Sequence, residues 1–288
     1  MKPAVTCTLV GLLVVSSLAT GPRPAQTAGS IVRYVRFSHA GTVSHGTLDG
    51  STIRVLSASP FNGGTPTART LKLAEVRLLA PCEPSKVIAV GLNYKSHLGE
   101  RPAATYPGLF AKYPTTIIGT EADIVFPAGA SNVHYEGEMV VVIGARAKNV
   151  AAAEAPKYVF GVTAGNDVSE RDWQKNDLQW FRAKASDTFG PLGPAIVKGL
   201  NYNDLQVQTR VNGEVRQSAR TSQLIFDVNT IVSYVSQFVT LLPGDIIYTG
   251  TPGTTRAMKP GDVVEVEVEG VGVLRNTVRG PAVAASTR

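Results

Sequence analysis

His134-Tyr135-Glu136-Gly137-Glu138-Met139-Val140-Val141-Val142-Ile143-Gly144 is the stretch on which the reading of this chain turns. The apolar, β-branched run from Met139 to Ile143 reads as a core strand. Alternate residues of a strand point to one face, so Glu136 and Glu138 project side by side. Two carboxylates that close repel each other unless positive charge lies between them. A hard divalent cation is the simplest solution, because oxygen donors suit Mg²⁺, Mn²⁺ or Ca²⁺. His134 follows the same alternation and is expected beside the pair.

A third acid lies downstream, in Phe160-Gly161-Val162-Thr163-Ala164-Gly165-Asn166-Asp167-Val168-Ser169-Glu170-Arg171-Asp172-Trp173-Gln174. Asp167 sits at a strand end, before a helix expected at about 169–178 that Ser169 is placed to cap. Taken alone, such an aspartate is more often a turn or cap residue than a ligand. Further on, Lys184 and Asp187 lie among small residues and prolines between Arg182 and Pro194. A cation beside a metal-bound substrate can hold a carboxylate or stabilise an enolate. A lone lysine is ordinarily a solvated surface residue, so this pattern does not decide its role.

The 288 residues can bury a sizeable core, as one large domain with a small accessory one. Hydrophobic content of 43% with 17% charged residues describes a folded globule rather than a disordered chain. Lys and Arg exceed the acids by 28 to 22, without a basic run, which argues against nucleic-acid binding. Short antiparallel strands are expected over 31–55, a linker-like loop over 57–70, and strands at 71–79 and 86–92. Strands then dominate, at 139–143, 158–163, 194–197, 205–211, 245–249 and 263–268. A second helix is expected at about 227–238, with Val228, Ile231, Val232, Val235 and Phe238 on its apolar face. Strand and helix do not alternate, so the class is mainly β (α+β) and not a doubly wound parallel fold. The expected division is a leader over 1–28, a small N-terminal β domain over 29–80, a catalytic domain over 81–282 and a tail over 283–288.

The N-terminus has the form of a secretory leader: Lys2, an apolar centre from Leu9 to Val15, then small residues and prolines. A disordered extension or a misassigned start are the other readings. The run is too short for a stable membrane span. Its removal would take away Lys2, Arg23 and Cys7, leaving Cys82 as a single cysteine with no internal disulfide partner. No Asn-x-Ser/Thr sequon supports secretion. The expected compartment is therefore open between export and the cytoplasm.

Seven short elements in order make the chain resemble the fumarylacetoacetate hydrolase family, in its acylpyruvase-like branch. They are Gly91-Leu92-Asn93-Tyr94-Lys95-Ser96-His97-Leu98-Gly99-Glu100, Pro107 to Lys112, Glu136-Gly137-Glu138, Asn166-Asp167-Val168 with Arg171-Asp172, Lys184 to Pro194, Asn212-Gly213-Glu214 with Gln217, and Gly244 to Pro252. The resemblance implies a mixed β-sandwich roll and a homodimer. It implies that Glu136, Glu138 and Asp167 hold Mg²⁺, or else Mn²⁺ or Ca²⁺. It implies that Lys184 polarises substrate, and that His97 and Glu100, three residues apart on one helical turn, activate water. Arg171, Gln174 and the backbone around Gly250-Thr251 would meet a substrate carboxylate or oxyanion.

The implied reaction is metal-assisted cleavage of a carbon–carbon bond in a 2,4-diketo acid such as an acylpyruvate, through a stabilised enolate. Oxaloacetate decarboxylation, keto–enol tautomerisation and sugar-acid dehydration use the same logic and stand as alternatives. A non-catalytic, metal-stabilised β-rich binding module is the alternative from another class.

Overall fold

The computed structural model describes residues 30–281. The leader over 1–28 and the tail over 283–288 lie outside the described residues. The N-terminal strands are β1 (Val32–His39), β2 (Thr42–Asp49), β3 (Thr52–Leu56), β4 (Pro66–Lys72) and β5 (Arg77–Leu78). Next come β6 (Val87–Gly91), β7 (Gly108–Lys112), β8 (Ile117–Ile118), β9 (Asp123–Val125), β10 (Val133–His134), β11 (Gly137–Ile143), β12 (Val159–Asn166) and β13 (Ser169–Glu170). Two short helices follow, α1 (Arg171–Asn176) and α2 (Phe181–Ala185). The chain closes with β14 (Gly190–Lys198), β15 (Gln206–Val211), β16 (Glu214–Arg220), α3 (Val228–Phe238), β17 (Ile246–Tyr248), β18 (Val263–Val268) and β19 (Gly272–Arg279).

The architecture is mainly β, as the strand-dense sequence leads one to expect. One large sheet runs in the order β4-β3-β2-β1-β14-β12-β11-β17-β6-β7, and a five-stranded sheet runs β16-β15-β18-β19-β9. The N-terminal meander joins the rest through β1 and β14, where Val32 faces Lys198. At the centre, β11 lies between β12 and β17 and is buried along its whole length. Its alternation sends Met139, Val141 and Ile143 into a core shared with α3 and with Val207, Val266 and Val268 of the smaller sheet. Val140 and Val142 turn the other way, toward Val87, Ile196 and Tyr248. A strand covered on both faces has no polar alternation to display, which explains its apolar run.

Helix α3 starts where the Asp227 carboxylate accepts from the Thr230 N–H. Val228, Ile231, Val232 and Val235 pack against the sheets. Phe238, expected on that apolar face, is instead exposed at the last helical residue and packs on Tyr234. Two N-terminal expectations are also corrected. The loop expected over 57–70 ends at Pro66, where β4 begins; proline is tolerated as the first residue of an edge strand, and Thr67 and Thr70 suit the extended chain. The strand expected over 71–79 is broken by a 3₁₀ turn at Leu73–Glu75, whose start is closed by Glu75 accepting from the Lys72 N–H. Among the described residues no helix is long and apolar enough to cross a membrane.

Candidate metal centre and active site

Glu136, Glu138 and Asp167 meet as the sequence pattern suggests: their carboxylate oxygens lie within 4.8 Å of one another, and all three residues are buried. Strand pairing makes the meeting. Gly137 of β11 faces Asn166 of β12, so Asp167 leaves β12 beside Glu136. The Asp167 N–H donates to the Glu136 carbonyl at 2.8 Å, and the Asn166 side-chain oxygen accepts from the Glu136 N–H at 2.9 Å. Glycine is required between the two glutamates, because a Cβ at 137 would stand 1.9 Å from Thr209 Oγ1. Glu138 is held by main chain: its Oε2 accepts from the Gly250 N–H at 2.6 Å.

Three cations face the three acids. Lys184 Nζ donates to Glu136 Oε2 and Asp167 Oδ2, each at 2.7 Å. Lys112 Nζ donates to Asp167 Oδ1 at 2.6 Å and to the Lys184 carbonyl. Arg171 Nη2 donates to Glu136 Oε1 at 2.5 Å. Burial would raise the Glu136 pKa, but Lys184 and Arg171 outweigh it and hold the carboxyl well below its usual range. Glu138 goes the other way: burial, then the charges of Asp167 and Glu136, push its pKa well above normal. The donor set consists of carboxylate oxygens only, which fits a hard divalent cation and not a thiophilic one.

That asymmetry has a measurable result. A carboxyl with a raised pKa takes up a cation in competition with protons, so metal uptake is expected to release protons and to weaken by up to about tenfold for each pH unit below that pKa. Calorimetric Mg²⁺ titrations in buffers of different ionisation enthalpy are expected to show this release, and Glu138→Gln is expected to remove it.

The rim carries the remaining sequence candidates. His97 ends a 3₁₀ turn, Lys95–His97, with its Nδ1 against the Gly253 carbonyl. A carbonyl can only accept, so Nδ1 carries a proton, and Nε2 faces inward, 3.6 Å from Glu136 Oε1. Glu100 is not brought to the cluster. The turn stops at His97, Gly99 adopts a left-handed φ of 61°, and Glu100 is exposed without a hydrogen bond or ion pair. Arg171 and Gln174 are joined across one turn of α1, Nη1 to Oε1 at 2.7 Å. The cap of α1 is Glu170, accepting from the Trp173 N–H, and not Ser169, whose hydroxyl donates to the Asp167 carbonyl. Glu170 is fully buried and its other oxygen takes the Asn132 N–H, so it outcompetes the serine.

Thr251 lies in the centre of a lock rather than at the rim: its hydroxyl donates to the Gly137 carbonyl and accepts from Gln217 Nε2. Gln217 also accepts the Gly137 N–H and donates to the Pro252 carbonyl. A few residues on, Thr255 Oγ1 accepts from Arg171 Nη2 at 2.8 Å and meets His134 Nδ1 at 2.8 Å. His134 Nε2 meets Asn132 Oδ1, and Asn132 Nδ2 donates to Asp172 Oδ1. Burial, and then Arg171, lower the His134 pKa to about 4, so the ring is neutral at physiological pH. The acceptor Asp172 thereby orients the whole relay: Asn132 offers its oxygen, His134 donates from Nε2, and Thr255 donates to Nδ1 while accepting from Arg171. His134 thus lies near the acids, as alternation implies, and reaches them through Thr255 and Arg171.

Residues 86–279 match the family model described as fumarylacetoacetate (FAA) hydrolase C-terminal. The chain belongs to the fumarylacetoacetate hydrolase family. Residues 32–81 match a second model, Rv2993c-like, N-terminal. Protein Rv2993c of Mycobacterium tuberculosis is 46% identical over 260 residues, covering 86% of this chain and 98% of that protein. A solved 5-carboxymethyl-2-hydroxymuconate delta-isomerase from Mycobacterium smegmatis is 45% identical with a TM-score of 0.82, covering 86% of this chain and 99% of that one. A maleylpyruvate hydrolase from Sphingobium sp. SYK-6, solved in complex with manganese(II) ion and pyruvate, is 28% identical with a TM-score of 0.72, covering 87% and 100%. This fumarylacetoacetate hydrolase family member is a metal-dependent enzyme by that membership and by its buried acidic triad.

Several site residues carry no assigned role in the sequence reading. Lys112 is the main one; at a strand end it looks like a solvated lysine, and only its alternation with Gly108 and Phe110 in β7 hints that it turns inward. Asn93 is buried and ties three segments together, donating to the Phe226 and Thr249 carbonyls and accepting the Phe226 N–H. No local pattern marks it, since its partners are remote in sequence.

Proposed function

We propose that this enzyme hydrolyses a carbon–carbon bond in a 2,4-diketo acid of the acylpyruvate kind, with Mg²⁺ held by Glu136, Glu138 and Asp167. The observation that carries the reading is the convergence of three buried carboxylates, Lys184 and an inward-facing His97 Nε2 at one point. When bound, the divalent ion supplies positive charge where a keto acid must carry an enolate. Arg171, with Gln174 beside it, faces the substrate carboxylate. His97 Nε2 takes a proton from water, which adds to the distal carbonyl. The bond between that carbon and the neighbouring methylene breaks, its electron pair leaves as the enolate of pyruvate, and a carboxylic acid departs. Lys184 Nζ donates hydrogen bonds to the negative charge as it grows. Glu100 would reach His97 only if the segment after Gly99 folds inward over substrate.

The exposed Glu100 favours one second reading, keto–enol isomerisation, which needs no activated water. The isomerase name of the M. smegmatis neighbour agrees with it. Acylpyruvate and oxaloacetate assays run side by side, with and without chelator, separate the two. Hydrolysis of the acylpyruvate is expected, with loss of at least about a hundredfold on metal removal and on His97→Ala. Enol–keto interconversion of oxaloacetate that survives His97→Ala, without cleavage of any acylpyruvate, would replace this reading by the isomerase.

A further inference from the structure

A cavity of about 400 Å³ opens between the β6–β7 strand pair and the segment just before α2, a size suited to a small organic group. Two glycines make its floor: Gly91 at the end of β6 pairs with Gly108 at the start of β7. Leu92, Leu109, Phe110 and Trp180 form its walls. Gln179 is the one amide in the lining, and no charged side chain lines it.

The strand β7 connects this cavity to the chemistry. Alternation puts Gly108, Phe110 and Lys112 on one face. Lys112 Nζ reaches Asp167, and the Phe110 ring centroid stands 5.0 Å from Lys184 Nζ. Beyond Phe110, Trp180 meets it edge-on at 5.3 Å. At about 3.4 Å per residue, Phe110 lies about 7 Å and Gly108 about 14 Å outward from Lys112. One strand face therefore grades from the acids, through an aromatic ring, to an open apolar floor. A carboxylated tail placed there would find no charged side chain in the lining to pair with. Arg182, the nearest guanidinium in sequence, is paired with Asp177 and stacks on Trp173.

We propose that this cavity takes the distal end of the substrate, and that this end is an aryl or alkyl acyl group rather than a second carboxylate. The inference rests on the keto-acid reading above, and binding tests it apart from turnover.

The probe is Trp180. The chain has two tryptophans, so Trp173→Phe in the full-length, Mg²⁺-loaded protein leaves Trp180 as the sole indole reporter. Acetyl-, hexanoyl- and benzoylpyruvate are titrated against its emission. Affinity is expected to rise up to about fourfold per added methylene, with the emission shift growing with the tail. Gly108→Val is the second variant. Its backbone is one that any residue adopts, and a Cβ there meets only the Gly91 carbonyl at 3.7 Å, so the fold accepts it. It is expected to weaken hexanoylpyruvate by at least about tenfold while changing acetylpyruvate by less than about twofold. Equal affinity along the series, or equal loss for both ligands in Gly108→Val, would overturn the proposal. Tail-dependent binding without cleavage would uphold it and reject the hydrolytic reading; cleavage indifferent to tail length would do the reverse.

Discussion

Glu138→Gln is expected to abolish turnover, by about a thousandfold or more, while leaving the metal-free fold nearly unchanged. The two effects separate because burial, and then Asp167 and Glu136, disfavour charge on Glu138 in the metal-free protein. A neutral amide of the same shape escapes that electrostatic penalty, and its oxygen can still accept from the Gly250 N–H. Stability measured with chelator should therefore change by less than about 1 kcal/mol. The rise in melting temperature expected of the parent protein with Mg²⁺ should be absent from the variant. A variant that kept both that rise and its turnover would show that the ion does not need this carboxylate, and the centre as described would fail.

Lys184→Met should act in the opposite order, with the larger penalty in the metal-free protein. Its ammonium joins Glu136 Oε2 to Asp167 Oδ2 inside the protein, with almost no solvent contact. Burial opposes its charge, but Asp167 and Glu136 raise its pKa above that of a free lysine, so it serves as an internal counter-ion. Its removal leaves buried carboxylates uncompensated, at a cost of about 3–5 kcal/mol. Mg²⁺ can replace the missing charge, so denaturant unfolding should show a much smaller loss with metal than with chelator. Turnover should fall at least about a hundredfold even in the metal-loaded protein, because no donor remains for the growing negative charge. An equal stability loss with and without Mg²⁺ would count against the counter-ion role.

How far the site could be read from sequence depended on how local each signal was. Glu136 and Glu138 needed only the two-residue period of extended chain, although Glu136 stands one residue before β11 begins at Gly137. Arg171 and Gln174 needed only one helical turn, and α1 supplied that. The same spacing argument did not bring His97 to Glu100, because Gly99 turns left-handed and ends the helical geometry between them. Lys112 and Asn93 work through partners 55 or more residues away, and no periodicity within a segment reports on those. The mainly β class was visible in strand density. The start of β4 was not, because Pro66 reads as a breaker unless the strand is known to lie at a sheet edge.

Residues 250–258 touch nearly every part of the centre. Gly250 supports Glu138, Thr251 and Pro252 engage Gln217, and the Gly253 carbonyl receives His97 while its N–H donates to the Ser96 hydroxyl. Thr255 steadies Arg171, and the Met258 N–H returns to the Val133 carbonyl. One span of nine residues is thus a common gauge for Glu138, His97 and Arg171. Lengthening it by a single residue would move all three out of register together, whereas the same insertion between β1 and β2 would disturb none of them. Paired substitutions along this span should combine non-additively for the same reason, since each shifts the ground on which the next contact stands.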